Sequence, residues 1–132
     1  MKKIIFILAI LLTSLNSYAQ TESNQSVQAQ NKKDIPATYE LFPTQNIWIF
    51  IKLNTSNGQM WLVQFDVDNE NRFESYLRVL PLVDEEKEID GRFTLYSTQN
   101  MWTFLLLDKI DGRTWQVQWS LDTENRFVLP IH

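Results

Sequence analysis

Asp66, Asp68 and Glu70 set three carboxylates at alternate positions, the spacing with which a hard cation such as calcium gathers oxygen ligands. A calcium loop continues with a glycine and closes on a bidentate glutamate, and neither follows here. The related stretch further along keeps only Asp122 and Glu124. Turn and strand-end capping accounts for these acids, so no metal is expected. Hydrolysis by paired carboxylates needs one acid desolvated beside another, whereas the acids here gather in turns and in the run from Asp84 to Asp90. His132 is the single histidine and the last residue. A Ser-His-Asp triad or a histidine metal site would hang on a fraying end. Three glycines make no phosphate-binding loop. The expectation is a protein that is not an enzyme and carries no cofactor.

Tryptophan is the other residue type that could do chemistry, because sugar C–H faces stack on exposed indoles. Four of the five tryptophans recur in pairs, Trp48 with Trp102 and Trp61 with Trp115. Their strand positions predict core packing first and a glycan-binding platform as the alternative. The shared polar residues are Gln45/Gln99, Asn46/Asn100, Gln64/Gln118 and Arg72/Arg126. Gln-Asn is expected to build a turn. The arginines are expected to hold another turn, through Glu70 and Glu124 or Asp68 and Asp122. A repeated surface of two glutamines and two arginines would also suit a binding partner, so Gln64, Gln118, Arg72 and Arg126 are the candidate partner-binding residues.

These pairs belong to an internal duplication. Sliding the chain by 54 residues lays 37–74 over 91–128 with 16 identities in 38 ungapped positions. Leu41 to Phe50 matches Leu95 to Phe104, Gly58 to Gln64 matches Gly112 to Gln118, and Asp68 to Phe73 matches Asp122 to Phe127. Each copy reads as four strands. Trp61, Val63, Phe65 and Val67 alternate with Leu62, Gln64 and Asp66, and Trp115 to Leu121 does the same; period-two alternation of aromatic and β-branched residues is the strand signal. Ile47 to Leu53 and Met101 to Leu107 are apolar almost throughout, as for strands covered on both faces. Thr38 to Phe42 and Arg92 to Tyr96 enter the copies, and Arg72 to Leu77 and Arg126 to Ile131 leave them. Pro43 and Pro130 sit near strand ends, where a missing donor is tolerated.

Asn-Gly at 57–58 and Asp-Gly at 111–112 predict hairpins in which Asn54 pairs with Gln59 and Asp108 with Arg113. That register gives Trp48, Phe50, Trp61, Val63 and Phe65 one face, and Trp102, Phe104, Trp115, Val117 and Trp119 another. These two faces are the expected core; a slip of one residue would reverse the contribution of the second strand. The second apolar face (Ile47, Ile49, Ile51, Leu53; Met101, Leu105, Leu107) then needs cover from the other copy or another chain. The fold expected is all-β, two four-stranded antiparallel units forming a sandwich or barrel of about eight strands. The alternative is a pair of propeller-like blades that need oligomerisation.

The segment Phe104 to Trp119 and its counterpart in the first copy resemble a β-propeller blade, particularly the tryptophan-docking blades of quinoprotein-type propellers. The stretch Trp102 to Trp119 is also similar to a Trp-rich repeat in small uncharacterised exported proteins of Bacteroides-type bacteria. The resemblance implies an origin and no chemistry, and the first copy departs from it at Lys52, Asn54 and Phe65.

Lys2 and Lys3, the apolar run Ile4 to Leu12 and Ser17-Tyr18-Ala19 read as a signal peptide over 1–19. Its apolar run is too short for a membrane helix. Residues 20–36 read as a flexible polar leader, and 37–132 as one β domain of two repeats, 37–82 and 91–132, joined by an acidic solvated linker over 83–90. With no cysteine the chain has neither a lipid-modified cysteine nor disulfides. The expected location is the periplasm or the cell exterior, without a lipid anchor. A net charge of −4, more negative once Lys2 and Lys3 are removed, argues against nucleic acid and anionic membranes as partners. The function expected is non-enzymatic contact with another protein or peptide, inhibitor-like or immunity-like. Glycan binding is the alternative, and a homo-oligomer is compatible with both.

Overall fold

Two aromatic-rich hairpin sets within each copy dictate a meander, and the computed structural model, which describes residues 36–132, shows one in each. The segments expected to be a signal peptide and a polar leader lie, up to residue 35, outside the described residues. Strands β1 (Tyr39–Pro43), β2 (Ile49–Asn54), β3 (Met60–Gln64) and β4 (Phe73–Arg78) form one antiparallel sheet in sequence order. Strands β5 (Phe93–Ser97), β6 (Thr103–Asp108), β7 (Thr114–Gln118) and β8 (Phe127–Ile131) form the second. Among the described residues no strand pairs across the two sheets and no barrel closes. They stack face to face around one hydrophobic cluster, a two-sheet sandwich with no α-helix among the described residues.

The hairpin register is the expected one. Asn54 N donates to Gln59 O at 2.9 Å, and Asp108 N to Arg113 O at 2.9 Å. Gly58 and Gly112 close these turns at φ 81° and 72°, in the left-handed region where a side chain is strained. The repeated Thr-Gln-Asn-x-Trp stretch makes the turn between the first two strands of each copy. Thr44 Oγ1 accepts from Asn46 N (3.1 Å) and donates to Ile49 O (2.9 Å), while Asn46 Oδ1 accepts from Trp48 N (3.0 Å). Thr98, Asn100 and Trp102 repeat the arrangement. Threonine and asparagine build this turn, and Gln45 and Gln99 point to solvent.

The buried faces of the two copies differ. The second sheet turns Phe93, Leu95, Phe104, Leu106, Trp115, Val117 and Trp119 inward, as expected except for the exposed Trp102. The first sheet turns the opposite face inward: Ile49, Ile51, Leu53, Met60, Leu62 and Leu77. The expectation that Trp48, Phe50, Trp61, Val63 and Phe65 form the core of the first copy is overturned. Trp48 and Phe65 are 41% and 47% exposed, and the other three are half-buried. The reason lies in the residues by which the copies differ. Lys52 and Glu74 stand on the Trp-bearing face of the first sheet where the second has Leu106 and Val128. Burying that lysine in an apolar core costs far more than exposing its aromatic neighbours. Conversely, Met60 and Leu62 are replaced by Thr114 and Gln116, so the second sheet has a partly polar face to leave outside. The cover expected for the second apolar face therefore comes from the other copy at Ile49, Ile51 and Leu53, while Leu105 stays exposed.

The segment joining the sheets packs over the 54–58 turn. Leu82 and Val83 lie against the core, Leu82 N donates to Asn57 O at 2.8 Å, and Glu88 accepts from Asn57 Nδ2 at 3.0 Å. Phe93 N donates to Thr55 O at 2.8 Å. Asn54, Thr55, Ser56 and Asn57 are buried beneath it, unlike most of the matching turn at 108–112.

Candidate interaction surface

The four shared polar residues sit together at one end of each sheet. Gln64 Nε2 donates to Asn71 O (2.9 Å) and Gln118 Nε2 to Asn125 O (3.1 Å), tying the third strand to the short 3-10 turn after it. Arg72 bonds the carbonyls of Asp66 (Nε, 2.8 Å) and Val67 (Nη2, 3.0 Å). Arg126 bonds the matching carbonyls of Ser120 (Nε, 2.7 Å) and Leu121 (Nη2, 3.4 Å). The arginines thus hold the turn through carbonyl oxygens, where the sequence suggested carboxylates. Arg126 does one thing more: its Nη1 reaches the other sheet, at Ser75 Oγ (2.8 Å) and Tyr76 O (2.9 Å). Burial draws its guanidinium below the ordinary value while the Asp122 charge raises it, and arginine remains a cation throughout. Asp66 and Asp122 cap their turns, accepting from Asp68 N (3.1 Å) and Glu124 N (3.0 Å).

The outer face of the first sheet departs from an ordinary polar surface. Register places Leu41, Lys52, Trp61 and Tyr76 in one row across the four strands. Ring pairs continue along it: Tyr39–Trp61 at 6.2 Å, Trp61–Tyr76 at 5.5 Å, Phe50–Phe65 at 6.2 Å and Trp48–Phe65 at 5.3 Å. Lys52 lies over this patch, its Nζ 4.8 Å from the Trp61 ring centroid, and pairs with Glu74. Tyr39, Leu41 and Tyr76 are each more than half exposed. A contiguous apolar face of this kind, carrying one neutralised charge pair, is the mark of an interaction surface. Sequence reasoning assigned these rings to the core. The signal that could have corrected it is Lys52, set mid-strand among them.

A second feature missed from the sequence is a buried ion-pair cluster in the second copy. Arg92 grips Asp108 through two bonds (Nε–Oδ1 3.0 Å, Nη2–Oδ2 2.8 Å), and Asp111 and Arg113 complete it at 2.8 and 3.3 Å. Burial pushes the Asp108 carboxyl up. The Arg92 hydrogen bonds, the amides of Asp111 and Ile110 and the Arg92 charge outweigh it, and the carboxyl ends below its usual range. Hydrogen bonds to Asp108 hold Arg92 above its own ordinary value against burial. In the first copy these positions are Thr38 and Asn54, and Asn54 caps its turn through Ser56 N (2.9 Å) and Ser56 Oγ (2.7 Å). The two buried members, Arg92 and Asp108, are bonded to each other and to nearby backbone, Arg92 Nη1 donating to Lys87 O at 2.9 Å, which makes the cluster a fold-holding device.

A shallow depression of about 220 Å³ is lined by Trp102, Gln118, Trp119, Ser120 and Asn125. No grouping of three metal-ligating side chains occurs among the described residues. The chain finds no match among protein-family models, curated proteins or solved structures.

Proposed function

We propose that this chain is an exported, non-enzymatic interaction protein whose aromatic face on the first sheet contacts another protein or peptide. The observation that carries this reading is the exposure of Trp48, Phe65 and Tyr76 in one patch, whose neighbouring rings Trp61 and Phe50 are also only half-buried. Large rigid aromatics supply contact area at low entropic cost and dominate interface energetics. The acidic chain is suited to a basic partner, as for an inhibitor-like or immunity-like protein of the periplasm or cell exterior. The test is capture from an envelope extract, with the protein purified from an export-competent host as bait. A partner held by the parent and lost with Trp61→Glu, a further copy of the chain included, supports the reading; recovery of none, or retention unchanged by the variant, overturns it.

Glycan binding is the second reading, favoured by Trp102, 41% exposed beside the amides of Gln118 and Asn125 in the shallow depression. An indole face there stacks on a sugar ring while neighbouring amides reach its hydroxyls. Acrylamide quenching separates the two. A saccharide that protects the fluorescence supports this reading, and uniformly shielded indoles remove its basis.

A further inference from the structure

The contact between the two sheets is face to back. It joins the Ile-bearing face of the first sheet to the Trp-bearing face of the second. The two faces left outside are the counterparts of the two buried ones. Tyr39, Leu41, Phe50, Trp61, Val63 and Phe65 occupy the positions of Phe93, Leu95, Phe104, Trp115, Val117 and Trp119. On the far side of the second sheet, Leu105, Leu107 and Ile131 occupy the positions of the buried Ile51, Leu53 and Leu77. A duplication that buries the same face in both copies would be self-complete. This one exposes a socket at one end and its plug at the other.

We infer that the occupant of the aromatic face is a second copy of this chain. The outer face of its second sheet would lie on the aromatic face of the first, repeating between molecules the contact made within each. This rests on the reading of that face as an interaction surface and names its partner. Such contacts are heterologous, so each chain offers both halves, and the assembly is a ring where the rotation closes and an open filament where it does not.

Two further observations point the same way. Arg72 holds the same pose as Arg126, with Nε and Nη2 on matching carbonyls. Arg126 spends Nη1 on Ser75 and Tyr76 of the neighbouring sheet, whereas Arg72 Nη1 has no partner among the described residues. In the repeated contact it would meet the position matching Tyr76, the Pro130 carbonyl of the next chain. The outer faces are also more polar than the inner ones, with Lys52 for Leu106, Thr114 for Met60 and Gln116 for Leu62. Surfaces that must stay soluble before pairing need that polarity, and subunit interfaces carry more of it than domain cores do.

Light scattering on the purified protein tests the inference, with circular dichroism and melting to confirm that each variant is folded. The parent is expected as a species of two or more chains. Trp61→Glu and Leu105→Glu should each weaken association at least ~30-fold. Tyr76→Glu and Leu129→Glu, at more exposed positions in the same two rows, serve where the first pair folds poorly. Arg72→Ala should weaken association by about 5–10-fold. Mixing Trp61→Glu with Leu105→Glu should restore a one-to-one pair, since each variant keeps the half that the other lacks. A monomeric parent overturns the inference, as does an oligomer indifferent to both Leu105→Glu and Leu129→Glu, which would mean aromatic faces meeting each other. A monomer that still captures a different protein through Trp61 sinks this inference and leaves the proposed function standing.

Discussion

The first sheet buries aliphatic residues and leaves Trp48 exposed and Trp61 half-buried, whereas the second buries Trp115 and Trp119 and leaves Leu105 and Leu129 outside. Sixteen of 38 aligned positions are nevertheless identical. The identical residues include those that fix backbone geometry, namely the Thr-Gln-Asn turn, the hairpin glycine, the Gln-to-carbonyl tie and the arginine that holds the last turn, together with apolar strand residues such as Trp48/Trp102 and Trp61/Trp115. Orientation is left to a handful of unmatched positions. Because strand side chains alternate between faces, one lysine at position 52 is enough to decide which face a sheet with two apolar sides turns inward. Shared residues set the shape of a copy, and unshared ones set its facing.

Substitution at matched positions probes this directly. Trp115→Ala should lower stability by ~3–5 kcal/mol, as for a large buried ring, whereas Trp61→Ala should cost only about 1 kcal/mol. Denaturant melts of the two variants measure the difference, and equal losses would show that the copies are buried alike. Next in size is the charged cluster. Asp108→Ala leaves Arg92 buried with Asp111 alone and should cost about 3 kcal/mol. Asn54→Ala, which removes only turn bonds, should cost about 1–2 kcal/mol.

The same cluster gives the copies different responses to acid. Asp108 is held below its ordinary value, so its contribution is complete above the unfolded aspartate range near pH ~3.9 and is lost as pH falls through the lower folded value. Melts from pH 6 downward should therefore show Asp108→Asn with a shallower acid loss than the parent. A parallel decline would mean the pair is no stronger in the folded state. The smallest contrast lies at the two hairpin glycines. Gly112→Ala meets open space and should cost about 1 kcal/mol for its backbone conformation alone. Gly58→Ala sets a methyl 2.7 Å from Leu82 and should cost roughly twice that.

Much of the fold was legible because its signals are local. Period-two alternation located the strands, and Asn-Gly and Asp-Gly fixed the 54/59 and 108/113 pairings that the hydrogen bonds display. The facing of the first sheet was written in Lys52 and Glu74, but the repetition of Trp48 and Trp61 at core-like positions outweighed them. Nothing local announced the Arg92–Asp108 pair, whose members lie 16 residues apart and have neutral counterparts in the first copy. The linker reads as solvated from its acids, yet Glu88 folds back onto Asn57, a contact 31 residues distant. Gln64, Gln118, Arg72 and Arg126 were found by repetition. All four are occupied in holding their own turns, and Arg126 in addition bridges the sheets.

The meander wiring of each sheet bears on how fast the chain acquires its shape. Every strand pairs with its neighbour in sequence, so the search for partners spans only short loops, and hairpins of this kind form within roughly 1–10 μs. All-β proteins are slow when distant segments must meet before anything is gained. Among the described residues the distant meeting left is that of the two sheets. Hydrogen bonds onto the 54–58 turn, Leu82 N to Asn57 O and Phe93 N to Thr55 O, join them at one seam.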